Sequence, residues 1–427
     1  MQANELIKKI NDGALDKKFV ELYDENAVLS QRERYVCAIN NFCEIHGEGR
    51  DIALYSVAGR SELAGNHTDH NHGCVVAASI NLDIIAVVSK NDSEIINLKS
   101  EGFPQITVDY SKYDSPVEEK FGTSDSLIAG MCAGFLKNGY KVGGFDAYCT
   151  SSVLKGSGLS SSAAFEDMIG NILSHEYNDS RVDNVEISKL SQYAENVFFG
   201  KPCGLMDQVA CAVGGIVAID FEDTTNPKIE KIDFDLSQAG YNLCIVDTGG
   251  NHADLTADYA AVPAEMKAVA SHFGKTYLRL CDEGEVTSNI AELREEVGDR
   301  AILRALHFFE ENKRVAAMKN ALLNKDLKAY FDGVLASGRS SFCYLQNVYT
   351  TKNVAEQGLS LALCVTESYL KDKNAAWRVH GGGFAGTIQA YVRSKDVEGY
   401  RALMDGVFGE GACLVLRVRM HGAIRVI

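Results

Sequence analysis

KGSGLSSSAAFE, residues 155–166, is the stretch on which the reading of this 427-residue chain turns. An extended, β-branched and aromatic run, 144–150, precedes it. Phe165, Met168, Ile169, Ile172 and Leu173 follow at the spacing of one helix face. Two glycines and three serines therefore stand between a strand and a helix N-terminus, where unpaired N–H groups and the positive end of the helix dipole suit an anion. Gly156 and Gly158 let backbone amides approach a phosphate, and Ser160, Ser161 and Ser162 add hydroxyls for phosphate oxygens or a magnesium ion. Ser and Gly before a helix also make an ordinary cap. No Gly-Lys-Ser/Thr follows the glycines, a serine stands where a dinucleotide loop has its third glycine, and Ser160 lacks the flanks of a nucleophile elbow. On its own the loop reads as an anion site or a cap.

Outward from the loop, the length exceeds what one core supports, so two lobes are expected. Apolar residues make up 46% and charged residues 23%, as in an ordinary globular protein. A net charge of −16 and a pI near 5.1 argue against nucleic acid or an anionic membrane as partner. The first residues, MQANELIKKINDGALDKK, are polar where a signal peptide is apolar, and no apolar run reaches membrane-span length. Twelve cysteines without a CxxC pair read as buried free thiols, so a soluble, cytoplasmic protein is expected.

Residues 1–47 carry helical periodicity and no evident chemistry. Strands are expected at 52–58, 74–79, 83–89 and 94–98, and helices at 124–137 and 186–199. Further strands are expected at 215–221, 243–247, 386–392 and 413–418, with helices at 254–273, 300–323, 327–345, 355–369 and 397–408. AGRSELAGNHTDHNHG, 58–73, concentrates polar groups in an apolar region. It reads as metal ligands (His67, Asp69, His70, His72), as a solvated turn, or as a pocket in which Arg60, His67 and Asp69 meet hydroxyl groups. Glu195 lies beside the apolar stripe of its helix and reads as half-exposed or as reaching inward. In GKPCGLMDQVACAVGG, 200–215, Asp207 falls in a first helical turn, as a dipole partner or as a carboxylate that orients a hydroxyl. The glycine run of WRVHGGGFAGT, 377–387, permits close approach to another loop or to a ligand.

These motifs, in this order, resemble the galactokinase branch of the GHMP small-molecule kinase superfamily. Residues 58–73 look like its sugar signature, usually GRVNLIGEHTDYNGG, and 155–166 look like its phosphate loop. Residues 200–208 and 377–387 are similar to the segment bearing its catalytic aspartate and to its third, glycine-rich motif. The resemblance runs from about residue 58 to the C-terminus. It implies an α+β, two-lobed GHMP kinase fold, with an N-terminal lobe (1–225, including a helical extension 1–47) like the second domain of ribosomal protein S5. The C-terminal lobe (226–427) would be ferredoxin-like, with the site in the cleft.

By resemblance, Asp207 faces the sugar's anomeric hydroxyl with Arg60 beside it. Gly156, Ser157, Gly158, Leu159, Ser160 and Ser161 wrap the ATP phosphates together with Ser162, and Ser162 and Glu195 hold Mg²⁺. His67, Asp69, Gly204 and Tyr259 match sugar-contacting positions. Asn66 stands where the signature has a glutamate for the sugar's primary hydroxyl, His70 where it has tyrosine, Leu154 where proline is usual, and Ala385 breaks a glycine pair. The expected activity is ATP-dependent phosphorylation of galactose at C1. The alternatives are a 1-kinase for N-acetylgalactosamine, galacturonate or arabinose, or a sugar sensor without turnover. An aspartate beside Arg60 and a helix N-terminus should have a lowered pKa.

Overall fold

Strands that are apolar at nearly every position need cover on both faces, and the structure supplies it. The structure, a computed structural model, describes residues 1–113, 115–153, 158–201, 203–250 and 255–427. Its strands are β1 (Ala53–Ala64), β2 (Cys74–Lys90), β3 (Ile95–Ser100), β4 (Gln105–Asp109), β5 (Phe145–Ser151), β6 (Ile216–Asp220) and β7 (Lys228–Ile232). Then come β8 (Tyr241–Asp247), β9 (Ala376–Val379), β10 (Thr387–Arg393), β11 (Cys413–Leu416) and β12 (Ile424–Arg425). Among the described residues, eight strands form one sheet in the order β12-β1-β2-β5-β3-β4, with β6 on β2 and β7 on β6. The other four form a second sheet, β11-β8-β10-β9.

The period of two sorts the first sheet's side chains. Tyr55, Val57, Ala86, Val88, Ala147 and Cys149 pack with Ile128, Met168, Ile172 and Ile187, which belong to the helices Ser124–Lys137, Ser161–Tyr177 and Asn184–Tyr193. Their neighbours Leu54, Ile85, Val87 and Tyr148 pack on the opposite face with Phe19, Tyr35, Ile39 and Phe42 of the N-terminal helices. The helical segment 1–47 is therefore the cover of the sheet's back face. Each fully buried aromatic or aliphatic side chain there contributes about 1.5–3 kcal/mol. The second sheet is sorted likewise. Cys244 and Val246 meet the helices Gly358–Leu370 and Val397–Phe408, while Leu243 and Ile245 join the cluster that continues into the first sheet. The two sheets share one core.

Three expectations change. Residues 74–79 and 83–89 form one strand of 17 residues: the expected break at 80–82 does not occur, and Asp83 beside it is neutralised where it stands. Arg34 and Arg419 donate to its carboxylate at 2.6 and 3.0 Å and Tyr23 at 2.6 Å, with Ser56 alongside. The expected helix 186–199 is α-helical only to Tyr193 and continues as a π-helical turn, Ala194–Phe198. β7 and β12 hydrogen-bond into the first sheet, which thus runs past residue 225 and takes its last strand from the C-terminus. The cysteines are free, but Cys37, Cys343 and Cys364 are exposed rather than buried. Among the described residues no helix is long and apolar enough to cross a membrane.

Candidate active site

A bulge aims the first functional side chain. The pairing of β1 with β2 shifts register between Ala58 and Arg60, and Gly59 lies against the carbonyl of Leu159, where a Cβ would leave only 2.9 Å. Arg60 leaves the strand there, almost fully buried, with its backbone N–H bonded to that carbonyl at 3.1 Å. Its guanidinium forks onto Asp207, Nε to Oδ1 at 2.7 Å and Nη2 to Oδ2 at 2.6 Å, and its third nitrogen bonds the carbonyl of Gly158. Asp207 occupies the first turn of the helix Met206–Val213, as its spacing predicts. Ser160, the left-handed residue that caps the helix Ser161–Tyr177, donates to Asp207 Oδ2 at 2.5 Å. Three motifs widely separated in sequence thus meet at one carboxylate.

Burial alone would raise the Asp207 carboxyl, but Arg60 and Ser160 outweigh it and hold it below the ordinary aspartate range, as expected. The Asp207 side chain keeps 34% of its surface open while Arg60 keeps 9%, so the carboxylate has room to accept a ligand's proton. Leu159 is fully buried, and Ser161 and Ser162 open the helix with partly exposed side chains. Leu154, Gly156 and Ser157 lie outside the described residues.

Glu195, in the π-helical turn, is buried at 3% exposure. Lys201 donates to its Oε1 at 2.9 Å and Gln208 to its Oε2 at 2.9 Å. Sequence reading missed two further carboxyls on the phosphate-loop helix. Glu166 and Asp167 are fully buried, and Glu166 Oε1 and Asp167 Oδ2 have no partner among the described residues. Burial, aided for Glu166 by its carboxylate neighbours Glu195 and Asp167, pushes both carboxyls well above their ordinary range. A signal was available: both interrupt a stretch otherwise apolar on nearly every side.

The sugar-signature residues divide. His67, at φ 60°, bonds the Gly382 carbonyl through Nε2 at 2.9 Å, and burial and the neighbouring His70 push its pKa down to about 4, so the ring is neutral. Tyr259 donates to the Gly383 carbonyl at 2.7 Å. Asp69 and Gly204 stand side by side, the missing Cβ of Gly204 leaving the carboxylate its place. A cavity of about 550 Å³ opens beside them, lined also by His70, Gln192 and Asn196. Asn66 is committed elsewhere. It is fully buried, donates to Gly381 O at 2.7 Å and Glu62 Oε1 at 3.2 Å, and accepts from Asn347 at 2.9 Å and Ser341 at 3.1 Å. Both amide hydrogens and both lone pairs are used by protein, so this arrangement leaves Asn66 nothing to offer a sugar hydroxyl. The carbonyls of Gly381, Gly382 and Gly383 all serve the sugar loop and its neighbours, so the glycine run approaches other segments of the protein. The metal reading of the signature falls: among the described residues no group of three or more His, Cys, Asp or Glu can hold a metal, and His72 stacks on Tyr277 at 3.7 Å.

The fold is that of the GHMP kinases. The family model "GHMP kinases N terminal domain" matches residues 126–215, and "Galactokinase galactose-binding signature" matches residues 40–90. Galactokinase of Clostridium tetani is 30% identical over 360 residues, covering 84% of this chain and 88% of that protein. Galactokinase of Streptomyces coelicolor is 28% identical over 88% of this chain and 94% of its own length. The structure superposes on Lactococcus lactis galactokinase complexed with galactose with a TM-score of 0.76 at 23% identity, covering 90% of this chain and 98% of that one. A mevalonate kinase superposes with a TM-score of 0.60 at 15% identity, covering 85% and 98%. Within the GHMP kinases, the chain belongs to the galactokinase family.

Proposed function

We propose that this protein transfers the γ-phosphoryl group of ATP to the anomeric hydroxyl of galactose, giving galactose 1-phosphate and ADP. The observation that carries the reading is the fork of Arg60 on Asp207 against the Ser160 cap, which puts a partly open carboxylate beside an anion-binding helix end. The sugar oxygen forms a bond to the γ-phosphorus, and the bond from that phosphorus to the β–γ bridging oxygen breaks. A carboxylate held below its ordinary pKa is a weak base, so Asp207 orients the hydroxyl and takes its proton late. A loose transition state asks for positioning and charge neutralisation more than for early deprotonation. Arg60 fixes Asp207 and places positive charge beside the transferred group. Asp69, Gly204, His67 and Tyr259 line or brace the sugar side.

Ser162 and Glu195 are hard oxygen donors of the kind Mg²⁺ prefers, and Glu195 already accepts an ammonium in the ion's stead. When bound with the nucleotide, Mg²⁺ would neutralise phosphate charge there, its other ligands coming from phosphate oxygens and water. Gly156 to Ser161 would wrap the phosphates through backbone amides. The division into lobes at 1–225 and 226–427 belongs to the same reading, with β7 and β12 as extensions of the first lobe's sheet. So do a cytoplasmic location and the absence of a nucleic-acid or membrane partner, which the charge of −16 supports.

One observation favours a second reading, a 1-kinase for a related sugar: the residue in the signature's glutamate position, Asn66, is spent inside the protein. ADP release measured with galactose, N-acetylgalactosamine, galacturonate and arabinose, with ³¹P identification of the product, decides. Galactose should give the highest kcat/KM and a 1-phosphate. A much higher value for another sugar moves the name of the substrate, and sugar binding without ADP release from any of them makes the protein a sensor.

A further inference from the structure

The connector between the π-helical turn Ala194–Phe198 and the helix Met206–Val213 carries one lysine whose ammonium points into the site. Lys201 Nζ bonds Glu195 Oε1 at 2.9 Å, while its backbone N–H bonds the Glu195 carbonyl at 3.1 Å. The pair is lopsided: the Lys201 side chain is 62% exposed and the Glu195 side chain 4%. The carboxylate is fixed, its other oxygen held by Gln208, whereas the ammonium sits at the end of a flexible four-carbon stem. Lys201 also lies within electrostatic reach of Asp207, whose carboxyl it helps hold down. Arg60, a second cation there among the described residues, is already forked onto Asp207 and bonded to Gly158. An exposed pair of this kind ordinarily contributes little. Here one partner is a buried carboxylate that needs a counter-charge whenever no metal ion is on it.

We propose that Lys201 is a further catalytic residue. Its ammonium neutralises Glu195 in the nucleotide-free enzyme, and once a magnesium ion arriving with the nucleotide would replace it on that fixed carboxylate, the ammonium moves onto the γ-phosphoryl group and stabilises its charge during transfer. The proposal rests on the reading of Glu195 as a magnesium ligand. It makes no covalent demand on the lysine, which stays protonated throughout. It also separates two quantities that a surface salt bridge would leave untouched: metal binding without nucleotide, and turnover with it.

The test uses the full chain, with Mn²⁺ titrated into nucleotide-free protein and followed by the EPR signal of the free ion, beside steady-state kinetics. Lys201→Met should bind Mn²⁺ severalfold more tightly, since a competing cation is gone. Its kcat should fall about ten- to hundredfold, the worth of one charge-assisted contact, with KM for galactose unchanged. Lys201→Arg, which keeps the charge, should retain most of the turnover. Mn²⁺ binding no tighter in Lys201→Met, or turnover equal to the parent's, overturns the proposal. Glu195→Gln tells its failure from that of the underlying reading. If that variant loses Mn²⁺ while Lys201→Met is silent, only the lysine's role falls; if it binds Mn²⁺ like the parent, the metal assignment falls and takes the lysine with it.

Discussion

Of the aspartates gripped by arginine, Asp83 and Asp207 have opposite jobs in the proposed reading. Asp83 lies at the back of the first sheet, wholly buried, with Arg34, Arg419, Tyr23 and Ser56 on its carboxylate. Asp207 lies at the front, held by Arg60 and Ser160 but with a third of its side-chain surface open. Both carboxyls are pushed below the ordinary aspartate range against the effect of burial. The pKa direction therefore does not separate the two; the open surface does, and the role proposed for Asp207 rests on it. Asp83 has spent its acceptor capacity on the N-terminal helices and the C-terminal segment, whereas Asp207 keeps a free approach beside a helix end that attracts phosphate.

The sharpest break in the comparison would come from Asp83→Asn. It leaves Arg34 and Arg419 facing a neutral amide in the interior, and stability should fall by about 3–5 kcal/mol in urea unfolding. Turnover at temperatures where the variant is folded should stay at the parent level. A smaller effect is expected with pH. A carboxylate whose folded pKa is lowered contributes stability that is present above its unfolded pKa and disappears as pH falls through the folded value. Thermal unfolding between about pH 5 and pH 2 should therefore show a steep acid loss in the parent and a shallower one in Asp83→Asn.

Smallest of all should be Glu166→Gln, which replaces a carboxyl that burial pushes above its ordinary range with an amide of the same shape. Below about pH 4, where the unfolded glutamate is protonated too, its unfolding midpoint should match the parent's. The sign then reverses: a raised folded pKa means that the parent loses stability as pH climbs past the ordinary glutamate range, and the variant does not. By about pH 8 the variant should be the more stable of the two. A variant that weakens further as pH rises would show Glu166 to be ionised in the folded protein.

The contrast between the two aspartates also marks what the amino-acid order reveals. The meeting of Asp207 with Arg60 is legible because each sits in a motif of characteristic residue types, and the helix start at Met206 follows from local spacing. The continuity of the strand through Asp83 is not legible, because Asn81 and Asp83 interrupt an apolar run and the arginines that neutralise Asp83 come from positions 34 and 419. Asn66 was placed by its motif but not by its partners, since Ser341, Asn347 and Gly381 lie far along the chain. The Ser124–Lys137 helix was read to the residue from its periodicity. The π-helical turn that presents Glu195 gives no periodic signal that separates it from the helix before it.

The central claim is that Asp207 acts and Asp83 holds, and one measurement tests it directly: galactose-dependent ADP release by Asp207→Asn, with circular dichroism showing that the variant is folded at the assay temperature. A fall in kcat of about 10²–10⁴-fold is predicted, the range for loss of a positioned proton acceptor. Turnover within a few-fold of the parent would contradict it and leave the Arg60–Asp207 fork as a second strut.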